Sequence, residues 1–108
     1  MLIMKNKKLI QILLPLYDDK GIAFPAESYT GIRKLLTEKF GGLTAYTRAP
    51  ATGLWKEHDQ KVTRDDIIVY EVVAGEIDKS WWRLYKEELK QQFRQDELMI
   101  RSTDITIF

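Results

Sequence analysis

Asp66-Ile67-Ile68-Val69-Tyr70-Glu71-Val72-Val73 is the stretch that decides the fold. β-Branched residues and a tyrosine fill it, and such side chains suit a pleated, half-buried surface. In the strand it predicts, Ile68, Tyr70 and Val72 share one side, and Ile67, Val69, Glu71 and Val73 share the other. A strand with one wet face alternates apolar and polar residues. This one is apolar on both sides. Fully exposed, Ile67, Val69 and Val73 would each cost about 1.5–3 kcal/mol, so the face carrying Glu71 needs a cover.

The segments before it read in the same way. A polar connection from Leu54 to Thr63, the outer part of a long hairpin, leads into the strand, and Ala49-Pro50-Ala51-Thr52-Gly53 breaks the chain ahead of that connection. Leu43 to Arg48 is a short second strand, expected at the sheet edge. Tyr29, Ile32, Leu36 and Phe40 recur at helical spacing, with Pro25 suited to the first helical position and Gly41-Gly42 to a left-handed stop. Lys8 to Leu16 is the first strand: Ile10, Ile12, Leu14 and Leu16 line one face, Gln11, Leu13, Pro15 and Tyr17 the other. Pro15 lacks a backbone donor and bends or ends that strand, and Tyr17-Asp18-Asp19-Lys20-Gly21 is a turn.

Beyond the deciding strand, Gly75 closes it and Asp78 is an N-cap, with Ile77 placed to staple onto Trp82. Trp82, Tyr85, Leu89 and Phe93 form a buried helical stripe, bordered by Trp81 and Leu84. That helix ends at Phe93-Arg94-Gln95-Asp96 without a glycine. Arg94 there suits the negative end of the helix dipole. Glu97 to Phe108 is the last strand, with a bulge expected near Thr103-Asp104.

The order β-α-β-β-α-β predicts an α+β ferredoxin-like sandwich, a four-stranded antiparallel sheet with two helices on one face. One domain over residues 1–108 is expected, with residues 1–7 a flexible tail. The spatial order would be fourth, first, third, second strand. The outer face then gathers Met99 and Arg101, Gln11 and Leu13, Val69 and Glu71, and Thr44, Tyr46 and Arg48. A homodimer of the α/β-barrel kind, two sheets face to face around a cavity, would cover it.

The bulk composition narrows the classes. With 44% hydrophobic and 31% charged residues the chain reads as an ordinary globular protein. Net charge is +1 with the signs interspersed, which argues against a nucleic-acid partner. There is no cysteine, so no disulfide, thiol nucleophile or thiolate metal site exists. Met1-Leu2-Ile3-Met4 precedes Lys5, Lys7 and Lys8, the reverse of a signal peptide's order. No apolar run approaches the roughly 20 residues of a membrane helix. A cytoplasmic protein without membrane partners is expected.

Several groups could carry chemistry. Arg48 and Arg101 are candidates to bind an acidic small molecule beside Glu71, or to pair with Glu71 at a dimer interface. A metal-free reaction there would use Glu71 as general base, Tyr46 or Tyr17 as proton donor, and an arginine on a developing oxyanion. Trp55 is either a lid over the outer face or an anchor for the hairpin. His58, between Glu57 and Asp59, reads as a solvated hairpin tip ahead of a metal ligand. Asp18-Asp19 and Arg64-Asp65-Asp66 read as a turn and an ion pair ahead of a cation site. Trp81-Trp82 reads as helical core, with Trp81 the candidate for a surface contact. Gly41-Gly42 follows a helix, where the dipole is negative, and so caps it instead of binding phosphate. No dinucleotide, P-loop or Ser-His-Asp pattern occurs, and no cofactor is expected.

Phe40-Gly41-Gly42-Leu43-Thr44, the turn Gly53-Leu54-Trp55, Arg64-Asp65-Asp66 and Phe93-Arg94-Gln95-Asp96-Glu97 carry a resemblance. Over Leu13 to Ile107 the chain resembles small uncharacterised bacterial proteins, similar in turn to a family of ferredoxin-like domains of unknown function. In that family a glycine- and tryptophan-marked hairpin joins the middle strands. The resemblance implies the ferredoxin-like order and no catalytic residue. Two functions follow from the sequence: a homodimer binding a small molecule on the outer sheet face, or a non-catalytic protein-interaction or regulatory module using the same face.

Overall fold

The structure, a computed structural model, describes residues 4–48 and 66–108. Strand β1 (Lys5–Pro15) is followed by helix α1 (Glu27–Phe40), strands β2 (Thr44–Arg48) and β3 (Ile67–Ala74), helix α2 (Lys79–Gln92) and strand β4 (Met99–Ile107). The strands form one antiparallel sheet in the order β2-β3-β1-β4. This is the ferredoxin-like arrangement that the pattern of apolar runs predicts. Ile10, Ile12 and Leu14 of β1 and Tyr70 and Val72 of β3 meet Ile32 and Leu36 of α1 and Tyr85 and Leu89 of α2 in one core. Both helices therefore cover the same sheet face.

Local chemistry sets the helix ends. Gly41 takes φ +79 after α1, a left-handed conformation that glycine adopts without a Cβ clash. The α1 start is less regular. Pro25 stands ahead of Glu27, its carbonyl accepting the Ser28 N–H at 3.0 Å, and Ala26 offers no side-chain cap. Asp78 caps α2 as its residue type predicts, accepting the Trp81 N–H at 3.1 Å, and Ile77 packs against the core. At the other end Arg94, with φ +52, takes the position usually given to glycine. The Gln95 N–H closes onto the Lys90 carbonyl at 2.8 Å, and the Arg94 N–H onto Gln91 at 3.2 Å. The stop is thus a Schellman closure built on an arginine.

Two expectations need correction. The first strand begins at Lys5, three residues before the sequence boundary, because β4 supplies backbone partners as far as Lys5↔Ile107. Of the predicted flexible tail, Lys5, Asn6 and Lys7 therefore belong to the sheet. No bulge interrupts β4 either: the register runs unbroken through Leu9↔Thr103 and Lys8↔Asp104, where the two side chains form an ion pair at 2.6 Å. That pair satisfies a polar stretch which in the sequence looks like a break. Among the described residues, no helix is long and apolar enough to cross a membrane.

Candidate functional site

The two β1 registers assemble the outer face row by row. Thr44, Glu71, Gln11 and Arg101 stand abreast across all four strands, and the next row is Tyr46, Val69, Leu13 and Met99. The gathering expected from alternation is therefore present. Its exposure is not as expected. Val69 is only 1% exposed, flanked in register by Tyr46 and Leu13, and Ile67 is half-buried. The single chain thus buries part of the face, while Val73 and Met99 stay open to solvent.

The polar row is internally bonded. Gln11 Nε2 donates to Glu71 Oε2 at 2.6 Å and to the Tyr46 hydroxyl at 3.1 Å. The Tyr46 hydroxyl donates to the same Glu71 oxygen at 3.1 Å, and Arg101 Nε donates to Gln11 Oε1 at 2.8 Å. Tyr46, Glu71 and Arg101 are thus joined, but through Gln11. Among the described residues Glu71 forms no arginine pair. Sequence reasoning noted Gln11 only as a polar residue on this face. Its bridging position follows from two strand registers that alternation alone does not fix.

A cavity of about 580 Å³ opens at the end of this face, where β1 leaves the sheet and β3 and β4 enter it. Leu13, Pro15, Ile67 and Met99 form its floor, and Leu13 and Met99 also belong to the row beside the polar network. Tyr17, Asp18, Asp19, Asp66 and Glu97 line the rest with Gln95, Leu98 and Gly21. Among the described residues, no lysine or arginine lines it, and the described lining is acidic over an apolar floor.

Turn chemistry builds this rim. Asp18 Oδ1 accepts the N–H groups of Ile22 and Lys20, each at 2.9 Å, fixing the loop after β1. Arg94 brings its guanidinium 3.6 Å from Asp18 Oδ2 and 5.5 Å from the Phe24 ring centre, joining the α2 exit to that loop. The Ile22 hydrogen bond foremost, with those of Lys20 and the nearby Arg94 charge, holds the Asp18 carboxyl below its ordinary 3.8 against the opposing effect of burial. Asp18 is committed to its own turn. Among the described residues, no cluster of three or more His, Asp or Glu side chains is placed to hold a metal.

The remaining candidates are placed as follows. Tyr17 lines the cavity, apart from the polar row. Arg48 pairs by its backbone with Ile67, and its side chain lies outside the described residues, as do Trp55, His58 and the Arg64-Asp65 part of the β3 opening. Trp81 is engaged within its own chain. It stacks on Tyr85 at 4.8 Å, meets Phe40 edge-on at 6.0 Å, and carries the Lys39 ammonium 4.4 Å over its ring.

No protein-family model and no curated protein matches the sequence, so the family resemblance drawn from its motifs has no match behind it. Among solved structures the chain is similar to a phage SAM lyase in complex with S-methyl-5'-thioadenosine, at a TM-score of 0.61. The match covers 94% of this chain and 88% of the lyase chain, with 9% sequence identity. At that identity the likeness is one of fold.

Proposed function

We propose that the protein binds a small, donor-rich organic molecule in the cavity at the sheet end, with the hydrogen-bonded network of Tyr46, Glu71, Gln11 and Arg101 beside it. The cavity carries this reading. Its volume of about 580 Å³ falls within the roughly 300–1,000 Å³ of small-molecule sites. The apolar floor suits a flat ring, and the carboxylates suit hydroxyl, amino or cationic groups. The acidic ligand expected from Arg48 and Arg101 fits less well, since Arg101 is held by Gln11 and the rim is acidic. A nucleoside without phosphate combines the favoured features, because carboxylates accept hydrogen bonds from ribose hydroxyls. The fold likeness to a lyase bound to a nucleoside thioether supplies the probe.

The polar row lies about 7 Å from the floor row along the strands, so a bound molecule reaches both. In a reaction there, Glu71 is the base and Tyr46 the proton donor. Calorimetric titration with S-methyl-5'-thioadenosine, S-adenosylmethionine and adenosine monophosphate tests the proposal. The first two should bind, with the phosphate at least tenfold weaker. Equal or tighter binding of the phosphate, or no binding of any of the three to millimolar concentration, refutes it.

A further inference from the structure

The outer sheet face has two unlike ends. Strand β3 stops at Ala74, opposite Lys8, so Lys5, Asn6 and Lys7 pair only with Ile107, Thr106 and Ile105. This is a two-stranded ribbon projecting past the rest of the sheet, a form that is marginal on its own in water. By alternation Lys5, Lys7, Ile105 and Ile107 share the outer face with Leu9 and Gln11. Ile107 is well exposed, and neither lysine forms an ion pair among the described residues. The opposite end of the face is the acidic cavity mouth. There Asp19 has no ion pair among the described residues, and Glu97 reaches Lys86 and Lys90 only at 3.9 and 3.8 Å. Between the ends lie the half-exposed apolar groups Leu9, Leu13, Val73 and Met99, with the internally bonded Glu71–Gln11–Arg101 row among them.

We propose that a second copy of the chain completes the cavity, its basic Lys5–Lys7/Ile105–Ile107 ribbon lying over the acidic mouth in a two-fold, face-to-face sheet contact. Lys5 and Pro15 stand about 33 Å apart along β1 at ordinary strand rise. A two-fold axis near the middle of β1 runs the two sheets in opposite directions. It sets basic end on acidic end at both extremities, with the apolar groups and the Glu71–Gln11–Arg101 row enclosed between them. The contact is self-complementary, as a two-fold interface requires. The part that concerns ligand binding rests on the small-molecule reading above; the contact itself does not.

The test exchanges charges, leaving the core untouched. A Val69→Lys variant would be unsuitable, since Val69 is buried within the single chain. Lys5→Glu/Lys7→Glu and Asp19→Lys/Glu97→Lys proteins, each verified as folded by circular dichroism, are compared with wild type by sedimentation velocity. Wild type should be a dimer. Each variant alone should dissociate at least tenfold more readily, and a one-to-one mixture should restore dimers, because both contacts then carry opposite charges. A monomeric wild type, variants that remain dimers, or a mixture that does not reassociate overturns the contact.

S-methyl-5'-thioadenosine titrated into each sample separates the two proposals. Weaker binding by the dissociated Lys5→Glu/Lys7→Glu variant, whose own cavity lining is unaltered, recovered in the mixture, supports completion of the cavity by the partner. Binding indifferent to dissociation overturns completion and leaves the small-molecule reading intact. Charge-dependent dimers that bind none of the three probes overturn that reading and leave the contact intact.

Discussion

Replacing Tyr85 by phenylalanine should stabilise the protein. Tyr85 is 7% exposed, and its hydroxyl is buried without a hydrogen-bond partner among the described residues. Its buried tyrosine neighbours are provided for: the Tyr29 hydroxyl donates to the Pro15 carbonyl at 2.6 Å, and the Tyr70 hydroxyl accepts from Arg33 at 3.2 Å. An unsatisfied buried polar group costs about 1–3 kcal/mol. Phenylalanine keeps the stacking on Trp81 and removes only the oxygen, leaving a void smaller than a methyl group. The net gain should be about 1 kcal/mol, or roughly 4 °C in Tm for a domain of this size. Tyr29→Phe should move the other way by about 1 kcal/mol, since it loses a made hydrogen bond.

Urea unfolding of both variants, with unchanged m-values, reads the two signs directly. Alkaline titration gives an independent reading. Burial foremost pushes both Tyr29 and Tyr85 from 10.0 up to about 12. A raised folded value means the fold favours the protonated phenol. That contribution is whole below pH 10 and is lost as the pH rises toward 12. Tyr85→Phe should therefore lose stability less steeply over that interval than wild type. A Tyr85→Phe protein destabilised by more than about 0.5 kcal/mol would refute the reasoning, because the hydroxyl would then have to be engaged.

Two further outcomes concern the loop beneath the cavity. Arg94→Gly relieves a left-handed non-glycine residue, worth roughly 1–2 kcal/mol, against the loss of one 3.6 Å ion pair to Asp18 whose arginine is solvent-screened and which therefore contributes little. Thermal unfolding should show a small net gain, and a loss would mean that the Phe24 stacking outweighs the backbone strain. Asp18 has a folded pKa below 3.8, so its contribution is present above that value and disappears as the pH falls through the lower one. Asp18→Asn should accordingly flatten the acid limb of the stability profile, and an unchanged limb would remove Asp18 as its source.

The sheet was readable from the sequence because its strands carry their own period. Tyr70 and Val72 declare the buried side of β3, and Ile10, Ile12 and Leu14 that of β1, without reference to any partner. Strand ends are a different kind of fact. Lys5, Asn6 and Lys7 have no intrinsic reason to be extended; they are strand because Ile105, Thr106 and Ile107 lie beside them. Polar or charged residues in a ribbon clear of the core leave no apolar signal to read. The same holds for Arg94, whose left-handed backbone is tolerated through the closure of Gln95 onto Lys90 and not announced by residue type.

The site shows where alternation stops being informative. It places Glu71, Tyr46, Arg101 and Gln11 on one face, and an arginine there is then expected to pair with the glutamate. Register decides otherwise. Glu71 and Arg101 are separated by the whole width of β1, and Gln11 stands opposite both. An amide can donate to the carboxylate while accepting from the guanidinium, so Gln11 satisfies two charged neighbours that do not touch. The cavity has the same origin. Pro15 and Met99 are on the outer face by alternation, but Asp19 and Glu97 join them only because two loops meet where three strands end. Carboxylates from separate loops, set over the floor of one sheet, have no sequence spacing to betray them.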